Sequence, residues 1–149
     1  MCIRDSVSGA DAATEIFSVE RDPRRATAAA ELFASWPNVT IINDDWSAIL
    51  RHAPFDLLVL DGGGSGKHPA DAPVDPEVTL KPFGALVIDD FTPIAGWPPQ
   101  HGGVPDSARL HWLMHRDLLS TETVSYTHLD VYKRQVRHRV GDIGGSRVS

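Results

Sequence analysis

Apolar positions along the chain fall into short β-type runs separated by stretches with helical spacing. Ile16-Phe17-Ser18-Val19 predicts a strand ending at Glu20. Asp22 then offers an N-cap, and Pro23 suits the first helical position, where its missing N–H costs nothing. Ala26, Ala29, Ala30, Phe33 and Trp36 recur at helical spacing, which predicts one apolar face, and Pro37-Asn38 stops that helix. Val39 to Ile42 predicts a second strand. Asn43-Asp44-Asp45 is a cap-rich turn into a short helix around Trp46 to His52. Phe55 to Leu60 is apolar apart from Asp56, a pattern that suits a third strand buried on both faces. A Gly/Pro/Asp-rich loop runs to Pro73, and a short helix covers Asp75 to Leu80. Lys81-Pro82-Phe83-Gly84 reads as a turn and Ala85 to Ile88 as a fourth strand. After a Pro- and Gly-rich stretch from Thr92 to Pro105, a last helix is capped by Asp106. It places Leu110, Leu113, Met114 and Leu118 on one face.

Strands alternating with helices predict βαβ units. The expected fold class is α/β, a Rossmann-like three-layer α/β/α domain with a mostly parallel sheet. Two segments stand outside that pattern. Val124 to Gln135, VSYTHLDVYKRQ, can be back-translated into a palindromic DNA word. The second half of that word, read one base later, encodes Met-Cys-Ile-Arg-Asp-Ser, which is Met1 to Ser6. Both segments look like the translated transposon-end adapter of a sequencing library and are excluded from fold reasoning. Residues 136–149 show no helix or strand period and receive no role. The expected organisation is therefore an adapter-like segment at 1–6, a partial domain at 7–123, an adapter-like segment at 124–135 and an unassigned tail at 136–149.

Composition sharpens this picture. The 149 residues are 42% hydrophobic and 23% charged, which is globular composition. The formal charge is −6, and Val7 to Thr123 alone carries 8 Lys and Arg against 17 Asp and Glu, a net −9. Such a balance argues against a nucleic-acid binder, which would show a basic stripe. The single cysteine, Cys2, excludes a disulfide framework and a cysteine-built zinc site. No apolar run approaches the ~20 residues of a membrane span, and nothing reads as a secretion signal. A cytoplasmic protein without a membrane or nucleic-acid partner is expected.

Each predicted strand ends in an acid: Glu20, then Asp44 and Asp45 just after the second, Asp61, and Asp89 with Asp90. In an open parallel sheet these ends form one edge, where ligands bind. Any single acid there is an ordinary helix cap, and Asp22 and Asp106 are assigned that role. Four acid-tipped elements at one edge instead suit ribose hydroxyls, an exocyclic amine or a hard cation.

FSVERDPRR, NDDW, FDLLVLDGG and LKPFGALVIDDFTP together resemble the core of class I S-adenosylmethionine-dependent methyltransferases, especially small O-methyltransferases. The resemblance covers nearly all of Val7 to Thr123. It implies that Glu20 holds the cofactor's ribose hydroxyls, with Arg21 or Asp22 beside the ribose and adenine. Asp45 would face the adenine amine with Trp46 beside the ring, Asp61 would stand at the reacting edge, and Asp89 and Asp90 would end the next strand. It further implies a small-molecule acceptor, with oxygen the favoured atom. The family's first strand and glycine-rich turn would fall upstream of Val7. Its last two strands are absent or interrupted after Glu122, so an incomplete domain is expected.

Metal-dependent relatives place such acids around Mg²⁺, which would make Asp61, Asp89 and Asp90 both ligands and catalytic residues by lowering the pKa of an acceptor hydroxyl. Those relatives carry a lysine three residues after the first acid, where this chain has Gly64. Lys67 and His68 are displaced from that position. Gly62-Gly63-Gly64-Ser65-Gly66-Lys67 fails the phosphate-loop pattern and reads as a mobile loop over a substrate site. His111 and His115 are i,i+4 but lack a third ligand, which favours a solvated face. His101 is a candidate base only by its loop position, and Trp97 and Trp112 read as packing groups. The alternatives are a nicotinamide dinucleotide oxidoreductase, where an acid ending the second strand also binds ribose, and an inert truncated module.

Overall fold

The computed structural model describes residues 7, 9–11, 13–68, 70–89, 91, 96–122 and 135–136. β1 (Ile16–Glu20) and β2 (Val39–Asn43) pair in parallel, with Glu20 opposite Asn43. Between them runs α1 (Pro23–Leu32). Its start follows from the sequence: the Asp22 carboxylate accepts the Arg24 N–H at 2.8 Å, and Pro23 follows directly. Ala26 and Phe33 are buried, but Ala30 is exposed and Trp36 is 42% exposed. The apolar face is narrower than its spacing predicts because the helix ends at Leu32, before Trp36. Trp46–His52 then coils as a 3-10 helix, and the His52 ring stacks on Phe17 of β1 with centroids 4.0 Å apart.

β3 (Phe55–Leu60) and β4 (Leu80–Ile88) form a second parallel pair, with the single turn α2 (Pro76–Thr79) feeding into β4. Lys81 to Gly84, expected as a turn, lies within β4 as an irregularity. Phe55 pairs with Leu80 and Leu57 with Ala85, so β4 carries extra residues against β3. Phe83 takes φ 65° there and is exposed. Gly84 is required by close approach: a Cβ would lie 2.7 Å from the Phe55 carbonyl oxygen and 2.9 Å from that of Lys81.

β5 (Gln100–His101) and β6 (Val104–Pro105) form a hairpin across Gly102-Gly103. α3 (Ser107–Leu113) follows, capped by Asp106, and then β7 (Leu118–Leu119). β8 (Gln135–Val136) runs antiparallel between β4 and β7. The last strands were expected to be absent or interrupted; among the described residues two-residue β7 and β8 extend the β3–β4 sheet, with Ala85 of β4 opposite Gln135. Gln135 of the adapter-like segment and Val136 of the unassigned tail both take part.

The described residues thus form a mixed α/β structure with small parallel sheets and no closed barrel. Of the three-layer arrangement expected from the alternation, the described residues show the two parallel strand pairs, β1–β2 and β3–β4, in separate sheets. The core gathers Leu58, Leu60, Leu86 and Ile88 from one face of β3–β4 with Val74, Leu80, Phe91, Trp112 and Leu118. β3 is not buried on both faces: cover on the alternate face reaches Val87 but leaves Leu57 54% exposed. The last helix also differs from its spacing. Arg109 and Trp112 are its buried residues, Met114 is 68% exposed, and Leu118 is buried on β7 instead of the helix. The stripe fails because the helix stops at Leu113. Trp112 packs as expected, whereas Trp97 is 67% exposed. Among the described residues no helix is long and apolar enough to cross a membrane.

Candidate functional site

The parallel pairing carries the acids to strand C-termini, as their sequence positions predict. Glu20 ends β1, and its Oε1 accepts the Asp22 N–H at 2.8 Å. Asn43, at the matching end of β2, donates from Nδ2 to the main-chain oxygens of Glu20 and Arg21 at 2.8 and 3.2 Å. Glu20 is thereby held on a fixed backbone with its carboxylate oriented. Asp22 serves as the α1 cap expected of it, and Arg21 is exposed beside it.

Asp45 caps the 3-10 helix. Its Oδ1 accepts the Ser47 N–H at 3.1 Å and the Ser47 hydroxyl at 2.8 Å. The Ser47 backbone bond first, then its hydroxyl, hold the Asp45 carboxyl below the usual carboxylate range. Asp44 accepts the Asp45 N–H at 2.8 Å and pairs with Arg51 at 3.4 Å. Both acids are anchored locally, which fixes their positions but commits part of their accepting capacity. Trp46 has a definite place in the packing: its indole lies on the backbone of Gly63 and Gly64, just past β3. That face of the ring supports the glycine loop and is not available to stack on a ligand.

Asp61 and Asp89 follow residues paired in register, Leu60 with Ile88, and the Asp89 N–H donates to the Leu60 carbonyl at 3.1 Å. They therefore stand at neighbouring strand ends. Asp61 is exposed and Asp89 half-buried. Asp90, the third acid of the Mg²⁺ reading, lies outside the described residues. Among those described, no three His, Cys, Asp or Glu converge as a metal-holding group.

Lys67 joins this edge although its spacing sets it apart. The loop after β3 turns back so that the Lys67 ammonium donates to the main-chain carbonyl of Asp89. It also lies 4.6 Å from the centroid of the Phe91 ring. The loop expected over a substrate site is hydrogen-bonded within itself and to α3. The Gly64 N–H donates to Asp71 at 2.7 Å, the Val74 N–H to the Gly64 carbonyl at 2.9 Å, and the buried Trp112 indole N–H to the Ser65 carbonyl at 2.7 Å. Trp112→Phe keeps an aromatic ring in the core but is smaller than the indole and leaves that buried carbonyl unmet. We expect a loss of about 1–3 kcal/mol, read as a lower urea midpoint at unchanged slope.

Two other groups lie apart from the acids. A cavity of about 540 Å³ opens beside α2 and α3, lined in part by Asp75, Glu77, His111, His115, Arg116 and Asp117. None of the strand-end acids lines it. The rings of His111 and His115 meet edge to face at 5.4 Å, and the Asp117 N–H donates to His115 Nδ1 at 3.4 Å. The Arg116 guanidinium beside Asp117 holds its carboxyl below the usual range. His101 is exposed on β5. Arg109, which no pattern singled out, is 3% exposed and meets Glu122 through two guanidinium nitrogens.

Comparison with protein-family profiles, with curated proteins and with solved structures finds no match to this chain.

Proposed function

We propose that this chain carries the ligand edge of a Rossmann-like S-adenosylmethionine-dependent methyltransferase that transfers a methyl group to an oxygen of a small acceptor. The observation that carries the reading is the row of carboxylates, Glu20, Asp44 with Asp45, Asp61 and Asp89, at or just beyond the C-termini of two parallel strand pairs. In doubly wound sheets ligands bind beyond these ends, at the point where strand order reverses. Such a sheet, in order 3-2-1-4-5-6, has its first strand between the second and the fourth. The pairs β2–β1 and β3–β4, unpaired with each other, correspond to the strands that flank it.

The residues fit the ribose end of a nucleoside cofactor better than its base. Glu20 is a fixed acceptor for ribose hydroxyls, oriented by the Asp22 N–H. Asp45 stands at the neighbouring strand end, where an adenine amine would lie, whereas Trp46 spends one face on the glycine loop. The cofactor supplies an electrophilic sulfonium methyl group. The chain's own task is to align an acceptor at attack distance, which Asp61 and Asp89 would do by orienting its polar groups.

The test is calorimetric titration of the full chain with S-adenosylhomocysteine and, separately, with NAD. S-Adenosylhomocysteine is expected to bind and NAD is not. Glu20→Gln should weaken that binding by roughly tenfold or more, since hydrogen bonds to a charged group are lost. NAD binding alone, or binding of neither, overturns the proposal.

A further inference from the structure

The edge of β3 and β4 collects negative charge. Asp61 and Asp89 follow a pair in register, so their chains leave the sheet one strand spacing apart, about 5 Å. Acids on chains that leave a sheet side by side concentrate negative charge, which favours a cation at that edge. A divalent ion is one solution, and it would draw on oxygens of this edge. The structure contains another. The Lys67 ammonium donates to the Asp89 main-chain carbonyl, an oxygen of the same edge. The buried Phe91 ring lies beneath it at 4.6 Å.

This placement does not come from a loose surface lysine. Gly66 takes φ +77° and packs on Pro73, and the Ser65 carbonyl is fixed by the buried Trp112 indole at 2.7 Å. The two residues before Lys67 are therefore set by the interior, and its side chain is directed along the strand ends.

We propose that Lys67 is the built-in cation of the β3–β4 edge, occupying by charge and position the place of a divalent ion. An ammonium held on the Asp89 main-chain oxygen repels a dication arriving at the same strand edge, so the edge acids and Mg²⁺ do not fit together while Lys67 is present. For the acceptor, the consequence rests on the methyltransferase reading: an acceptor oxygen bearing negative charge would be met by a lysine N–H. The charge argument itself stands without that reading.

The test uses Mn²⁺ alone, added to the full chain and followed by water-proton relaxation. The unaltered chain is expected to show no saturable site tighter than about 1 mM. Lys67→Met is expected to gain a site at least about tenfold tighter, and adding Asp61→Asn to that variant should remove it. Lys67→Arg keeps the charge and is expected to gain nothing. Equal Mn²⁺ binding by the unaltered chain and Lys67→Met overturns the proposal, as does a Lys67→Met variant that folds and gains no site. Binding by Lys67→Arg as tight as by Lys67→Met also overturns it, because charge would then not be the cause. S-Adenosylhomocysteine titration of the same samples reports separately on the methyltransferase reading.

Discussion

Glu122→Ala is expected to remove about 3–5 kcal/mol of stability, toward the lower end because the Glu122 side chain is 23% exposed. Its partner explains the size. Arg109 is 3% exposed on α3, and its guanidinium remains charged at any pH the fold survives. Two of its nitrogens meet the two oxygens of Glu122. Truncating Glu122 removes the carboxylate that two guanidinium nitrogens of this buried cation meet. The reverse change is milder. Arg109→Met removes the buried charge itself, fills much of the same space, and leaves a carboxylate that solvent already reaches. Urea unfolding of both variants should therefore place Glu122→Ala below Arg109→Met. The opposite order would mean that the pair does not carry the attachment of α3. Total stability for a chain of this size is about 5–15 kcal/mol, so Glu122→Ala should populate unfolded chains under mild conditions.

The second large effect lies in the loop after β3. In Gly63→Ala the new methyl group would fall within the Trp46 indole, against Cδ1, Cγ and Nε1. The ring cannot retreat easily, since Trp46 packs against the core at the start of the 3-10 helix. Overpacking of this kind costs about 1–3 kcal/mol, occasionally more, and this site belongs at the upper end. A double-mutant cycle isolates the cause. In a Trp46→Ala background the clash disappears, so Gly63→Ala should then cost a few tenths of a kcal/mol at most. Gly64→Ala behaves differently. It meets Trp46 Cζ3 at 2.7 Å and Val74 Cγ1 at 2.8 Å, and its φ of +74° strains any side chain. At least about 1 kcal/mol of its cost should therefore survive removal of Trp46, from the positive φ and the remaining Val74 contact. Equal residual costs at the two positions would show that the indole does not set the path of the loop.

The candidate site was legible in part. A carboxylate at the end of each apolar run needs only strand assignment, and the register of β1 with β2 and of β3 with β4 brings neighbouring acids to matching ends. Lys67 was not legible as a member of that edge. Its approach to Asp89 depends on a loop path set by Trp112, Asp71 and Trp46, residues between 4 and 45 positions away with no periodic relation to it. Trp46 carried a cofactor expectation by resemblance alone, and Asp45 carried one by its strand-end position as well. Packing on Gly63–Gly64 and capping of Ser47 give both residues work that a linear pattern does not reveal.

The sequence by itself determined the local elements. Asp22 and Asp106 cap the helices they precede, and the apolar runs ending at Glu20, Asn43, Leu60 and Ile88 become strands. These outcomes depend on neighbours within a few residues, which spacing records directly. Only the tertiary structure decided how far each element extends and what it faces. The last helix stops at Leu113, so its apolar stripe gives way to Arg109 and Trp112 as the buried pair. β3 keeps the Leu58 and Leu60 face in the core and leaves Leu57 on the alternate face 54% exposed. Burial is a property of what lies opposite a residue, and that partner comes from a distant part of the chain. The same is true of charge at the β3–β4 edge: the acids are written in order along the sequence, but the lysine held on the Asp89 main-chain oxygen arrives through the fold.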